Sequence, residues 1–508
     1  MTESHAEVLV IGTGLAGGIA ALSAADAGAN VVCITQKDSA TEWAQGGIVY
    51  RGDSDPSSLE SDILSAGANI NNPDTVKLVA EEGPAAVERW LMKRLGVSFD
   101  VGTDGNPDLA LEAAHHSRRI LHVKDFTGKA IWEQLQVEIA KHPRIKCEEG
   151  ILVDLMVSDR HNVCAGAEYA ASRVQGAYVF RPGSGEVSTV TASVTILATG
   201  GFSSLYLHST GPKSSRGDGI SAAHRAGART LHMEFVQFHP TALYIPGEPR
   251  RLITEALRGA GAKLLNLRNK SFVDELAPRD VVARAIHEEM LREGGAHVWL
   301  DLRLITDLET KFPSILKLLR SKGFDPHSDL IPVVPAAHYT LGGVWTDLNG
   351  ATSLPGLYAA GEVACTGLHG ANRLASTSLL EAIVFGERSG QSAAKESAAL
   401  LKSPKNFEPK PWEPQSNPFD PALLVQDWDF LRQTLWNYVG LVRSERRLKR
   451  AERILAELRT EVEWFYKRSR LTEELIGLRH GVLVATLMLY AALRRRESVG
   501  VHYLKREL

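Results

Sequence analysis

The sequence predicts an α/β fold in several pieces: a parallel-sheet domain that the chain leaves and re-enters, an α+β insertion, and a C-terminal bundle of helices. Three observations predict it. A β-branched run, a glycine-rich turn and an alanine-rich run open the chain, which is the layout of a β–α–β unit. Apolar runs closing on glycine return far downstream, at residues 193–199 and 356–360. Six prolines then fall between Ser403 and Pro421, ahead of a long proline-free tail.

Taken in order, residues 7–11 (EVLVI) form a strand that stops at Gly12. Residues 16–27 form an alanine-rich helix, and residues 30–35 (NVVCIT) a second strand. The runs at 193–199 (SVTILAT) and 356–360 (GLYAA) rejoin the same sheet. Between them an α+β cap of mixed helix and loop is expected over residues 251–340, and a helical stretch follows over residues 378–401. The prolines forbid regular helix or central strand. Residues 423–496 show helical spacing with dense Arg and Glu, as in RSERRLKRAERILAEL, so the charge run reads as a solvated helix face. The expected limits are residues 1–250 and 341–402 for the sheet domain, 251–340 for the cap, 403–421 for the linker and 422–508 for the helical domain. There is no internal repeat.

At 508 residues the chain exceeds one ordinary core. Apolar residues at 44 % and charged residues at 23 % are the balance of a soluble globular protein. A net charge of −3, with Lys and Arg spread along the chain, argues against nucleic acid as a partner. The cysteines are Cys33, Cys147, Cys164 and Cys365, without a CxxC pair or a metal-site spacing. That usage fits a reducing compartment, and the N-terminus lacks the layout of a signal peptide. The longest apolar run, residues 481–493, is too short to cross a bilayer. The expectation is a cytoplasmic protein without a membrane span or a metal.

Gly12-x-Gly14-x-x-Gly17 lies between strand and helix, the context that makes the pattern informative. Gly12 allows the tight turn, Gly14 the approach of a pyrophosphate, and Gly17 close packing of the helix. The helix N-terminus offers open N–H donors and partial positive charge. This points to a Rossmann-like dinucleotide site. The usual ribose-binding acid after the second strand is absent, the chain reading Thr35-Gln36-Lys37. This loop alone does not separate NAD from FAD. Two features favour FAD: EWAQGG at residues 42–47, where two glycines let the chain pass a flat ring, and Glu362 after Gly361, an acid suited to a ribityl or ribose hydroxyl.

Several further blocks occur in one order: AQGGI (44–48), HHSRRILHVKDFTG (115–128), EFVQFHPTALY (234–244), LITEALRGAGAKLLN (252–266), ELAPRDVVARAI (275–286), VPAAHYTLGGV (334–344), GLYAAGEVACTGLHGANRLASTSLLEA (356–382) and ESVGVHY (497–503). In these the chain resembles the L-aspartate oxidases, within the succinate dehydrogenase and fumarate reductase flavoprotein superfamily. The resemblance implies an FAD-binding Rossmann-like domain in two segments, a mobile cap and a helical C-terminal domain. It implies flavin contacts from Gly12, Thr13, Gly14, Leu15, Ala16 and Gly17, and from Lys37. Further contacts are implied at Ala40, Thr41, Glu42, Trp43, Ala44, Gln45, Gly46 and Gly47, and at Asp218, Glu362, Ser378 and Leu379, with Ile151 and Leu152 added by position. Membrane-complex members attach FAD through a His at the position of Ala40, so non-covalent FAD is implied here.

A four-carbon dicarboxylate needs an anion site at each end. His239, His338 and Arg373 have that chemistry, an Arg fork binding a carboxylate by two parallel hydrogen bonds. Taken singly, each has a plainer structural reading. The resemblance makes them substrate ligands, places Thr254 and Glu255 on the pocket at the cap, and makes Arg279 the proton-transfer residue. Arginine is a poor stationary base, so a relay through a nearby acid is implied. Glu112 stands where aspartate oxidases carry an acid facing the substrate ammonium. Two departures stand out: Ala113 and Ala114 replace two glycines of the family, and Val499 replaces an Arg. The expected reaction converts L-aspartate to iminoaspartate by hydride transfer to flavin N5, with reoxidation by dioxygen or fumarate and a functional link to quinolinate synthase in NAD biosynthesis. The alternatives are a soluble succinate dehydrogenase or fumarate reductase flavoprotein, and a flavin-binding protein that has lost catalysis.

Overall fold

A computed structural model describes residues 4–36, 38–51, 56–112, 114–400, 407–418 and 420–506. The opening unit is strand Ser4–Ile11, helix Leu15–Asp26 and strand Val31–Thr35. Both faces of a parallel sheet are covered, which is why these strands are runs of Val and Ile rather than alternating patterns. The first helix is buried along almost its whole length. Its small side chains let helix Ser378–Leu400 lie against it, and a Cβ at Gly386 or Gly390 would overlap the carbonyls of Ala16 and Ala20.

Strand Ser4–Ile11 pairs in parallel with Val31–Thr35 on one side and with Glu186–Leu197 on the other, Val10 facing Cys33 and Ile196. Strands Ile145–Glu149 and Leu357–Ala359 extend the parallel sheet at its two ends. The strand expected at 193–199 starts earlier, at Glu186, and ends at Leu197. Its first half is spent on an antiparallel ribbon with Val174–Arg181, which pairs on to Ile151–Val157.

The cap is a five-stranded antiparallel sheet around its own apolar core, including Leu257, Leu264, Ile286 and Leu316. It holds more strand than the helix and loop expected, with Lys263–Leu265 and Val298–Asp301 added to the longer strands. One of its central strands, Val236–Leu243, comes from before residue 251 and pairs with Leu330–Thr340. Helix Arg279–Glu293 packs against this sheet.

Residues 407–418 of the proline-rich segment form no helix and are pinned to the ribbon. The Tyr178 hydroxyl donates to the Lys410 carbonyl at 2.6 Å, and Trp412 packs on the Tyr178 ring. Helices Pro421–Tyr438, Glu445–Tyr466 and Glu473–Arg494 then form the bundle. The second buries Leu448, Ala451, Leu455, Leu458 and Val462 at helical spacing and turns its charges outward. Arg443 departs from the solvated face: it is fully buried and donates to the carbonyls of Val439 and Gly440. The bundle shares a core with the sheet domain through Leu205, Tyr206, Leu435 and Met488. The apolar stretch judged too short for a membrane belongs to a 22-residue helix, long and apolar enough to cross one by length and composition. It is a core helix of the bundle, 72 % buried over its most apolar stretch.

Candidate active site

The carboxyl ends of the parallel strands open onto a cavity of about 600 Å³. Ligands bind there in open parallel sheets because helix N-termini and strand-end loops converge at that edge. Gly12 has φ 103°, and a Cβ on it would overlap the Ala198 carbonyl. Gly14 is the N-cap of helix Leu15–Asp26 and has no side chain to cap it, so the first-turn N–H groups beyond Leu15 have no capping side chain at the cavity edge. Gly12, Thr13, Gly14, Leu15 and Ala16 line the cavity. Gly17 sits behind them, where a Cβ would strike the Gly12 carbonyl. Thr35 and Gln36 line the cavity beside the absent acid, Thr35 sharing a 2.6 Å hydroxyl bond with Thr13. Lys37 lies outside the described residues.

Residues 40–47 pass over the same cavity. Ser39 caps the short helix Ala40–Trp43 by accepting from Thr41, whose own hydroxyl accepts from the Leu15 N–H at 3.0 Å and ties the segment to the glycine loop. Ala40, Thr41, Trp43, Ala44, Gln45, Gly46 and Gly47 line the cavity; Glu42 does not. Gln45 Oε1 and Thr199 Oγ1 are buried in the wall with no partner among the described residues. Buried polar atoms are nearly always satisfied, so these two fit a polar ligand. Glu362, Ser378 and Leu379 also line it. Burial pushes the Glu362 carboxyl up to about 7, against bonds from the Thr340 N–H and hydroxyl, both 2.9 Å. The cradle therefore fits FAD.

Two expected contacts stand off the cavity. Ile151 does not line it whereas Leu152 does, because neighbours on a strand face opposite ways. Asp218 is buried at the start of helix Asp218–Ala226 and reaches toward the cavity only through Gln36, which donates to it at 3.4 Å. Arg216 holds the same Asp218 oxygen at 3.2 Å.

At the other end, His239 and His338 stand on paired strands, and their rings lie 5.4 Å apart. Register shifts on both sides of Phe238-His239 re-aim the strand, as bulges do beside functional sites. His239 Nδ1 accepts from the Thr241 N–H at 3.2 Å, and His338 Nδ1 meets the Thr210 hydroxyl at 2.9 Å. Burial, then the repulsion of Arg279, keeps His239 neutral; burial, then His239, does the same for His338. His239 Nδ1 also lies 3.1 Å from the Thr241 carbonyl; in the tautomer that accepts from the Thr241 N–H, the His239 proton is on Nε2, a donor for a carboxylate.

Arg373 lies over the Tyr339 ring at 4.6 Å and donates to Gln237 and Ser378, both at 3.3 Å. Among the described residues it pairs with no carboxylate. Burial, then the neighbouring Arg279 charge, pushes its pKa down to about 10. A buried cation without a counter-ion is a site for an anion.

Arg279 opens helix Arg279–Glu293 and donates Nε–H to Glu255 Oε2. Burial opposes its charge, but Glu255 and then Glu112 more than offset this and raise its pKa. Burial likewise opposes the Glu255 carboxylate, and Arg279 and Arg258 hold it below the usual carboxylate range. Thr254 lines the cavity next to it. Glu112 lines the same cavity and accepts from the Ser376 hydroxyl at 2.6 Å. Ala113 lies outside the described residues, while Ala114 adopts φ 66°, a left-handed conformation that is costly for a residue with a side chain. Val499 packs against the cluster of Phe235, Ala371 and Val501.

Sequence reasoning missed Arg258, Tyr339 and Ser376 on this wall. The i,i+3 spacing of Glu255 and Arg258 was a legible signal; for Ser376 there was none.

The chain matches the FAD binding domain family over residues 7–379 and the fumarate reductase flavoprotein C-terminal family over residues 429–506. It is 41 % identical to L-aspartate oxidase 1 of Ralstonia nicotianae, over 98 % of this chain and 94 % of that protein. It is also 41 % identical to the L-aspartate oxidase of Yersinia pestis, over 99 % and 96 %. Among solved structures, an E. coli quinol fumarate reductase chain superposes with a TM-score of 0.88 at 28 % identity, covering 100 % of this chain and 92 % of that one. A glycine cradle joined to a cationic pocket, with relatedness along nearly the whole chain, leads to one assignment: the chain belongs to the L-aspartate oxidase family of the succinate dehydrogenase and fumarate reductase flavoproteins.

Proposed function

We propose that this protein oxidises L-aspartate to iminoaspartate with non-covalently bound FAD, at the first step of NAD biosynthesis through quinolinate. The observation that carries the reading is that the Glu112 carboxylate lines the same cavity as Arg279 and Arg373, near enough for its charge to act on both, since only a substrate with both carboxylates and an ammonium uses all of these charges. Residues 12–16 and the first helix N-terminus would hold the FAD pyrophosphate, residues 44–47 with Ser378 and Leu379 the ring, and Glu362 a ribityl hydroxyl. Bound there, FAD supplies the acceptor for the hydride that leaves Cα.

The protein's own groups then divide the work. Arg373 binds one carboxylate by its fork, and the His239 and His338 imidazoles bond the remaining carboxylate oxygens in the tautomer that carries the proton on Nε2. Glu112 draws the ammonium to its side of the cavity, orients Cα and is the carboxylate in place to accept the proton that the amino group loses as the hydride leaves. Its charge gives aspartate an attraction that succinate lacks. For fumarate, Arg279 gives a proton to the carbon beside the one reduced. Glu255, bonded to Arg279 and 3.5 Å from Arg258, is the carboxylate in place to relay a replacement proton to Arg279. The electrons pass on to dioxygen or fumarate, and the imine goes to quinolinate synthase. We place the protein in the cytoplasm, where its four free thiols are maintained.

Anaerobic mixing tests this reading. L-aspartate should bleach the flavin. Bleaching by succinate alone would make the protein a succinate dehydrogenase, and bleaching by neither would mean that catalysis is lost.

A further inference from the structure

We infer that Ser376 is a positioning residue for substrate choice: its hydroxyl aims the Glu112 carboxylate at the substrate amino group. The inference rests on the reading of Glu112 above. Ser376 has φ 57°, a left-handed conformation that costs a side-chain-bearing residue energy and that glycine adopts freely. The backbone is held there from outside, because the Ser376 carbonyl accepts the Val49 N–H at 3.1 Å. Position 376 therefore suits glycine on backbone grounds, and a serine stands there nonetheless.

Its hydroxyl has a specific use. It donates to Glu112 Oε2 at 2.6 Å, a charge-assisted bond across 264 positions of sequence. One face of Glu112 is thereby fixed and Oε1 is left for the cavity. A Cβ on Gly46 would lie 3.7 Å from the Ser376 hydroxyl and 3.8 Å from Glu112 Oε1, so the pair abuts the AQGG cradle. A second bond joins the same two loops, His115 Nε2 to the Ala375 carbonyl at 3.0 Å. Since that bond survives loss of the hydroxyl, removing the hydroxyl should release the Glu112 side chain and leave the loops docked.

Three variants test this: Ser376→Gly, Ser376→Ala and Glu112→Gln. Glycine relieves the backbone strain, so Ser376→Gly should keep its flavin and melt no lower than wild type. Alanine keeps the strain and removes only the hydroxyl. In both, the ratio of kcat/KM for aspartate to that for fumarate should fall about 10-fold, mostly through the KM for aspartate, as when one bond to a charged group is lost. In the Glu112→Gln background, adding Ser376→Gly should change the ratio no further, since coupled residues do not add. If Glu112→Gln collapses the ratio while both Ser376 variants stay within about two-fold, the positioning role is wrong and the Glu112 reading stands. If Glu112→Gln leaves the ratio unchanged, the Glu112 reading fails and the role of Ser376 fails with it.

Discussion

Arg279 donates its Nε–H to the Glu255 carboxylate, so helix Arg279–Glu293 begins on an ion pair inside the cavity instead of at solvent. The pair answers the chemical objection to an arginine acid. A guanidinium releases a proton only if something returns it at once, and Glu255 is in contact with it. Arg279→Leu should keep the flavin spectrum and lose fumarate reduction by on the order of 100- to 10,000-fold. Steady-state rates decide it, and a loss of only a few-fold would make the pair structural.

Glu112→Gln keeps the shape of the side chain and its bond from Ser376 while removing the charge. Breaking a desolvated charge pair costs about 3–5 kcal/mol, so kcat/KM for aspartate should fall roughly 100-fold or more. Fumarate carries no ammonium and should lose far less. Equal losses on both substrates would mean that the residue shapes the loop.

Ala114 holds φ 66°. Ala114→Gly should raise stability by about 0.5–1 kcal/mol, read from denaturant midpoints at constant slope. An unchanged or lower midpoint would show that the turn carries no strain.

Glu362 titrates at about 7 in the folded protein against an ordinary value of 4.5, with burial the leading cause. The folded state therefore holds this proton more tightly than the unfolded chain. That contribution is fully present below pH 4.5 and is lost as pH rises through 7. In the flavin-free protein, stability should fall across this window by on the order of 1–3 kcal/mol relative to Glu362→Gln, measured as melting temperature against pH. Parallel curves for the two proteins would rule this out.

Ala40 lines the cavity with a methyl group where covalent relatives would need a nucleophile. Acid precipitation should release all the yellow colour into the supernatant. Colour retained in the pellet would mean a covalent link elsewhere.

The sequence by itself determined the fold class, the glycine cradle and most of the charged pocket. The reason is locality. The turn at Gly12, the β–α–β unit and the capping of a helix by its neighbours depend on residues a few positions apart. The family's blocks then carried His239, His338, Arg279 and Arg373 to their places in order along the chain. Tertiary structure alone decided which residues on these elements face the cavity. Leu152 lines it and Ile151 does not, because of strand alternation at that point, and Asp218 is held back behind Gln36. It also decided that helix Glu473–Arg494 is apolar because it is a core helix, since burial by helices Pro421–Tyr438, Glu445–Tyr466 and Asp218–Ala226 leaves no trace in hydropathy. The contact of Ser376 with Glu112 is a clear case: it joins positions 264 apart, and no period, motif or composition relates two residues that only the closing of the fold brings together.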